Sequence, residues 1–124
     1  MYSSANQMPL AAKAETFVTG ILRHQGWLIL ARNFRRVGCE IDIIAFKKTT
    51  IIFVEVKFRA RPLHTMQGFD QIITRKKRKT LERGARCFLQ YYEKRLPYWE
   101  NLRFDLALVS TAGNKPCLRY ISDF

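Results

Sequence analysis

Four ionisable residues stand inside two apolar runs: Glu40 and Asp42 within Gly38-Cys39-Glu40-Ile41-Asp42-Ile43-Ile44-Ala45-Phe46, and Glu55 and Lys57 within Ile51-Ile52-Phe53-Val54-Glu55-Val56-Lys57-Phe58. An ionised carboxylate in such surroundings is unfavourable unless it is paired or bound to a metal. The runs are joined by Lys47-Lys48-Thr49-Thr50, and two β-rich runs across a short polar link predict a hairpin. A symmetric turn makes Phe46 face Ile51, which sets Asp42 opposite Glu55 and Glu40 opposite Lys57. Side chains alternate faces along a strand, so all four are expected on one face. Directly opposed residues have Cβ atoms about 5 Å apart, where like charges repel. A hard divalent cation held through one or two carboxylates would relieve that repulsion. Neutralisation of a purely structural pair by Lys57 satisfies the same spacing.

The remaining elements must hold this hairpin. Met1 to Met8 are polar and small and are expected to fray. Pro9 suits a helix start. Leu10, Ala14, Phe17, Val18, Ile21 and Leu22 recur at helical spacing, and Gly26 closes the segment. Glu15 lies beside that stripe, and by position alone it reads as a solvated surface group. Trp27 to Phe34 reads as a strand leading into the hairpin. The loop Arg59 to Gly68 is basic and long, and long loops in compact domains are often functional. Asp70 suits an N-cap for a helix reaching about Arg95, ended by Pro97. Its buried stripe is Ile73, Leu81, Phe88, Leu89 and Tyr92. Leu102 to Ser110 and Cys117 to Ile121 complete the strands, joined by a turn over Ala112 to Pro116. Asp105, inside an apolar strand, reads as a structural partner of Arg103 or of a helix lysine. Tyr91, Tyr92, Tyr98 and Trp99 read as packing residues. This order predicts one α/β domain over 1–124, with a mixed central sheet and flanking helices.

The chain has 124 residues, 48% of them hydrophobic, which suits one globular core. Lys and Arg number 22 against 10 Asp and Glu, a formal net charge of +12. Such an excess implies a polyanionic partner, nucleic acid or an acidic membrane surface. From Lys57 to Arg86 there are ten basic residues and two acids, Asp70 and Glu82. Arg59, Arg61, Arg75, Lys76, Lys77, Arg78, Lys79 and Arg83 are therefore candidate phosphate contacts. The run 75–79 wraps a helix, so Lys76 or Lys77 must point toward the core side. Three cysteines, Cys39, Cys87 and Cys117, show no paired spacing, and reduced thiols in a cytoplasmic protein are expected. Two histidines make a zinc site unpromising. The sequence shows neither a signal peptide nor an apolar run of membrane-spanning length.

The linked motifs Gly38-x-Glu40-Ile41-Asp42-Ile43-Ile44-Ala45, Phe53-Val54-Glu55-Val56-Lys57-x-Arg59, Gly68, Thr74-x-x-Lys77 and Arg103-Phe104-Asp105 resemble the bacterial YraN family. That family is similar to archaeal Holliday junction resolvases and to PD-(D/E)XK nucleases. The resemblance runs from about Ala12 to Ala107 and implies a restriction-endonuclease-like fold. It further implies catalytic roles for Asp42, Glu55, Lys57 and Glu15, with Asp42, Glu55, Glu15 and Val56 at a Mg²⁺ or Mn²⁺ site. On this reading Lys57 orients or deprotonates the attacking water, and Lys77 contacts the scissile phosphate. Glu40 matches an extra acidic position without an assigned role. Ile41 stands where the wider nuclease pattern has proline. Cys39 replaces a glycine, placing a side chain where backbone would approach DNA.

Two functions follow. One is a metal-dependent nuclease acting on DNA, branched or structured, with a homodimer as an option by analogy with resolvases. The other is a catalytically inactive nucleic-acid-binding module that keeps the nuclease fold. A third reading, an adaptor for a protein partner, would use the aromatic cluster.

Overall fold

The computed structural model describes residues 10–60 and 75–124. The expectations for Pro9, Arg61, Gly68, Asp70, Ile73 and Thr74 lie outside the described residues. Helix α1 is Leu10–His24, followed by strands β1 (Leu28–Arg36), β2 (Cys39–Lys47) and β3 (Thr50–Arg59). Helix α2 is Arg75–Tyr92, extended by one 3-10 turn, Glu93–Arg95, and strands β4 (Asn101–Ala112) and β5 (Lys115–Ile121) close the chain. The strands form a single sheet in the order β1-β2-β3-β4-β5. Among the described strands only the β3/β4 contact is parallel. That crossover is the stretch carrying α2, as a parallel connection requires.

Both faces of the sheet are covered, which explains why β3 and β4 read as nearly continuous apolar runs. On one face Ala14, Val18 and Leu22 of α1 pack on Ile43, Ala45, Ile52, Val54, Ala107 and Val109. On the other, Leu81, Ala85 and Phe88 of α2 pack on Phe34, Cys39, Ile41, Ile44, Ile51, Phe53 and Phe104. Helix α2 sits almost flush on β2: a Cβ added to Gly84 would lie 2.9 Å from Cγ1 of Ile41. Helix α1 ends as expected at Gly26 (φ +94), where the Trp27 N–H donates to the Leu22 carbonyl at 2.9 Å.

The hairpin link is a two-residue turn, with Lys48 at φ 54 and Thr49 at φ 79. Two left-handed residues suit the twist of the flanking strands. The Thr49 carbonyl accepts the Glu100 and Asn101 N–H groups at 2.7 and 3.1 Å, tying the turn to the start of β4. The predicted register holds from Lys47↔Thr50 through Phe46↔Ile51 to Ile43↔Val54. There the ladder stops.

The expected common face for Glu40, Asp42, Glu55 and Lys57 is corrected at this point. Ile43 packs on the α1 side, whereas Ile41, two residues earlier, packs on the α2 side. Strand β2 therefore reverses its faces at Asp42. Glu40 lies between Cys39 and Ile41, both on the α2 side, so it projects to the opposite side from them and is exposed. Glu55 continues the α2-facing series of Ile51 and Phe53.

Asp105 is fully buried and structural, as expected, and Arg103 grips it with Nε at 3.0 Å and Nη2 at 2.9 Å. It also accepts the Tyr120 hydroxyl and, at 2.9 Å, the Asp123 N–H. This cluster fastens the C-terminal segment to β4. All three cysteines are free thiols. No described helix is long and apolar enough to cross a membrane.

Candidate active site

Where β2 leaves β3, the sheet forks, and the candidate residues gather in the fork. Strand β3 continues alone beside β4, through pairs reaching Arg59↔Ser110. Asp42 bridges the gap: its Oδ2 accepts the Val56 N–H at 2.8 Å, supplying β3 with a bond that the ladder no longer gives. Because β2 changes faces at this residue, Asp42 can approach both sides of the sheet. Glu15, from α1, interacts with it from one side, and the Glu55 charge acts on it from the other.

Glu55 is mostly buried and carries two ammonium groups. Nζ of Lys57 and Nζ of Lys77 each lie 3.1 Å from its Oε1. Helix periodicity required Lys76 or Lys77 to turn inward, and it is Lys77. Asp42 has a weaker cationic neighbour, with Arg35 Nη2 at 3.5 Å from its Oδ1.

The electrostatics follow from Asp42 standing between two other carboxylates in partly buried space, Glu15 hydrogen-bonded with it and Glu55 acting through its charge. Burial raises the Glu15 pKa to about 7, reinforced by the neighbouring Asp42. Burial likewise raises Asp42, with Glu55 adding to it; the Val56 N–H and Arg35 pull the other way. Burial opposes the charge on Lys77, but hydrogen bonding with Lys57 and the charges of Glu55 and Asp42 together outweigh it and leave its pKa raised. The centre thus disfavours its full negative charge.

Among the described residues, no three His, Cys, Asp or Glu side chains are gathered closely enough to cage an ion by themselves. The donor set nevertheless suits Mg²⁺, which is usually held through one or two carboxylates and keeps several waters. Val56, with no side-chain donor, can offer only its carbonyl.

The basic candidates divide. Arg75, Lys76, Lys79 and Arg83 are exposed, and the i, i+4, i+8 spacing of Arg75, Lys79 and Arg83 places them on one helix face. Arg59 is also exposed, with Nη1 on the Phe58 carbonyl at 2.8 Å. Arg78 is not available in the same way. It donates to the Phe124 carbonyl, lies 3.1 Å from Glu82, and stacks 4.5 Å from the Phe104 ring centre. Two residues near the carboxylates escape a reading by pattern: Arg35, which falls in an apparent link, and Asn33, which falls in an apparent apolar strand. Their signal is an asparagine and an arginine pair interrupting that strand just before the acidic motif.

A five-stranded mixed sheet with a helix on each face and this fork defines an α/β protein of the restriction-endonuclease-like class. Residues 14–109 match the family described as "Uncharacterised protein family UPF0102", and the chain belongs to that family. A UPF0102 protein of Nitratidesulfovibrio vulgaris is 37% identical over 110 residues, covering 88% of this chain and 78% of its own. One from Trichormus variabilis is 39% identical, covering 85% and 71% respectively. One from Desulfitobacterium hafniense is 35% identical, covering 95% and 97%.

Proposed function

We propose that this chain is a metal-dependent nuclease acting on DNA, with branched or structured DNA as its substrate. The observation that carries the reading is a row of carboxylates from three different elements, Glu15 against Asp42 and Asp42 within the field of Glu55, with two ammonium groups on the last. A structural pair needs one cation and no third carboxylate. Asp42 and Glu55, with the Val56 carbonyl, would hold Mg²⁺ or Mn²⁺, and Glu15 would act beside them. Such a metal polarises a phosphoryl oxygen and lowers the pKa of bound water. Lys57, fixed against Glu55, orients the attacking water. Lys77, anchored to the same oxygen, offers positive charge where charge develops on the phosphate. Arg59 and the exposed stripe Arg75, Lys79 and Arg83 track the phosphate backbone. Cutting both strands of a symmetric branch needs two such centres, so that substrate carries a homodimer with it.

The test is cleavage of linear, flapped and four-way DNA with Mg²⁺ or Mn²⁺, with Asp42→Asn as control. Metal-dependent cleavage lost in Asp42→Asn, with salt-sensitive binding retained, supports the reading. Binding and cleavage lost together in a folded variant count against it.

One observation favours an inactive binding module instead. Glu55 and Asp42 already have protein cations beside them, Lys57 and Lys77 on one and Arg35 on the other. Calorimetric titration with Mn²⁺ separates the two readings, since the module predicts no site and no cleavage on DNA or RNA.

A further inference from the structure

Strand β1 carries an irregularity that matches the one in β2. Asn33 has φ 51, the left-handed region, in the middle of a strand. It falls between the pairs Arg32↔Ile43 and Phe34↔Ile41, the interval that β2 fills with Asp42. Both neighbouring strands therefore change course at one level of the sheet. Left-handed backbone at a residue other than glycine carries a cost and persists where the surroundings demand it.

The Asn33 side chain reaches Glu15. An amide oxygen facing the Glu15 carboxylate would set acceptor against acceptor, with just a long 3.5 Å contact from Arg35 Nη2 to offset it, so the amide is assigned with its nitrogen there. In that orientation Nδ2 lies 2.9 Å from Oε1 and 3.2 Å from Oε2 of Glu15. One amide thus spans both oxygens. Arg32, next along the strand, donates to Thr16 Oγ1 at 3.1 Å, so consecutive residues of β1 hold consecutive residues of α1.

We infer that Asn33 is a positioning residue whose side-chain amide, presented from left-handed backbone, holds the Glu15 carboxylate toward Asp42. A left-handed position needing only a tolerant backbone would be served equally by glycine, which adopts this region freely. Glycine, however, has no donor for Glu15. The two roles therefore part at Asn33→Gly. The link to metal binding rests on the nuclease reading above; the contact to Glu15 does not.

The experiment measures Mn²⁺ affinity by calorimetry and thermal melting for the wild type and Asn33→Gly. It also follows the Asn33 side-chain amide signal by NMR in metal-free protein, with and without Glu15→Gln. Partners that orient metal-binding carboxylates typically contribute about 10–100-fold in affinity. Asn33→Gly should weaken Mn²⁺ by that factor with melting nearly unchanged, and should lower turnover more than it raises KM for DNA. Affinity within twofold of wild type overturns the inference. Should the wild type bind no Mn²⁺, the nuclease reading falls, and the amide signal decides the positioning role alone. A shift on Glu15→Gln upholds it, and an unmoved signal ends it.

Discussion

Oδ2 of Asp42 accepts the main-chain N–H of Val56 at 2.8 Å across the gap where β2 and β3 part. The same side chain is thus a strut of the fold and the middle member of the acidic centre. These two duties separate by substitution. In Asp42→Asn the side-chain oxygen can still accept from Val56, so melting should stay within a few degrees of wild type while metal-dependent cleavage disappears. In Asp42→Ala the Val56 N–H loses its partner, which costs about 1–3 kcal/mol for a buried donor. Denaturant unfolding of the three proteins checks this ordering.

The basic residues of α2 should not behave alike. Neutralising Arg75, Lys79 and Arg83 together should weaken DNA binding and flatten its salt dependence, by roughly 0.9 in log–log slope for each phosphate that no longer meets a cation. Arg78→Gln should leave that slope alone and lower the melting temperature, because Arg78 is engaged with Glu82, Phe104 and the Phe124 carbonyl. A salt series by fluorescence anisotropy, paired with thermal melts, distinguishes the two effects.

Metal-free protein should become less stable as pH rises toward neutrality. Burial and Asp42 raise the Glu15 pKa from 4.5 to about 7, so between those values the folded state binds more protons than the unfolded one. Stability then falls with pH across this window and levels off above it. The sign is opposite to that of a carboxylate stabilised by a salt bridge. Melting in chelator from pH 4.5 to 8 should show the decline, and Glu15→Gln should flatten it. Mg²⁺ added at pH 8 should raise the melting temperature of wild type more than that of Asp42→Asn, since a ligand of the folded state stabilises by mass action.

Asp105 is a carboxylate buried more deeply than those at the fork, yet its partners are Arg103, Tyr120 and the Asp123 N–H. Removing one partner of a buried ion pair costs about 3–5 kcal/mol. Asp105→Ala should therefore lower stability by that order. At temperatures where it stays folded it should retain Mn²⁺ affinity. Loss of metal binding in a folded Asp105→Ala would move this residue into the active centre.

Much of this arrangement is legible in the residues. Apolar runs around a polar link imply the hairpin, and a two-residue turn fixes its register up to Ile43 and Val54. Simple alternation then fails at Asp42. Ile41 and Ile43 are the same residue type, so nothing in composition marks that they pack on opposite sides of the sheet. The reversal is a tertiary choice, coupled to the left-handed residue in the neighbouring strand. The helix lysines show the converse. Periodicity demands that one of Lys76 and Lys77 turn inward, but only the position of Glu55 decides which. Arg78 is lost among five consecutive cations because its anchors, Phe104 and the chain's last residue, are distant in sequence.

Gly84 has a wider consequence. With no space above Ile41 for even a methyl group, this glycine acts as a fulcrum, and Lys77 stands two turns away on the same rod. The atoms that an added methyl meets are the outer part of the Ile41 side chain, so an alanine there is absorbed either by turning that side chain or by tipping the rod, and only the second lifts the ammonium off Glu55.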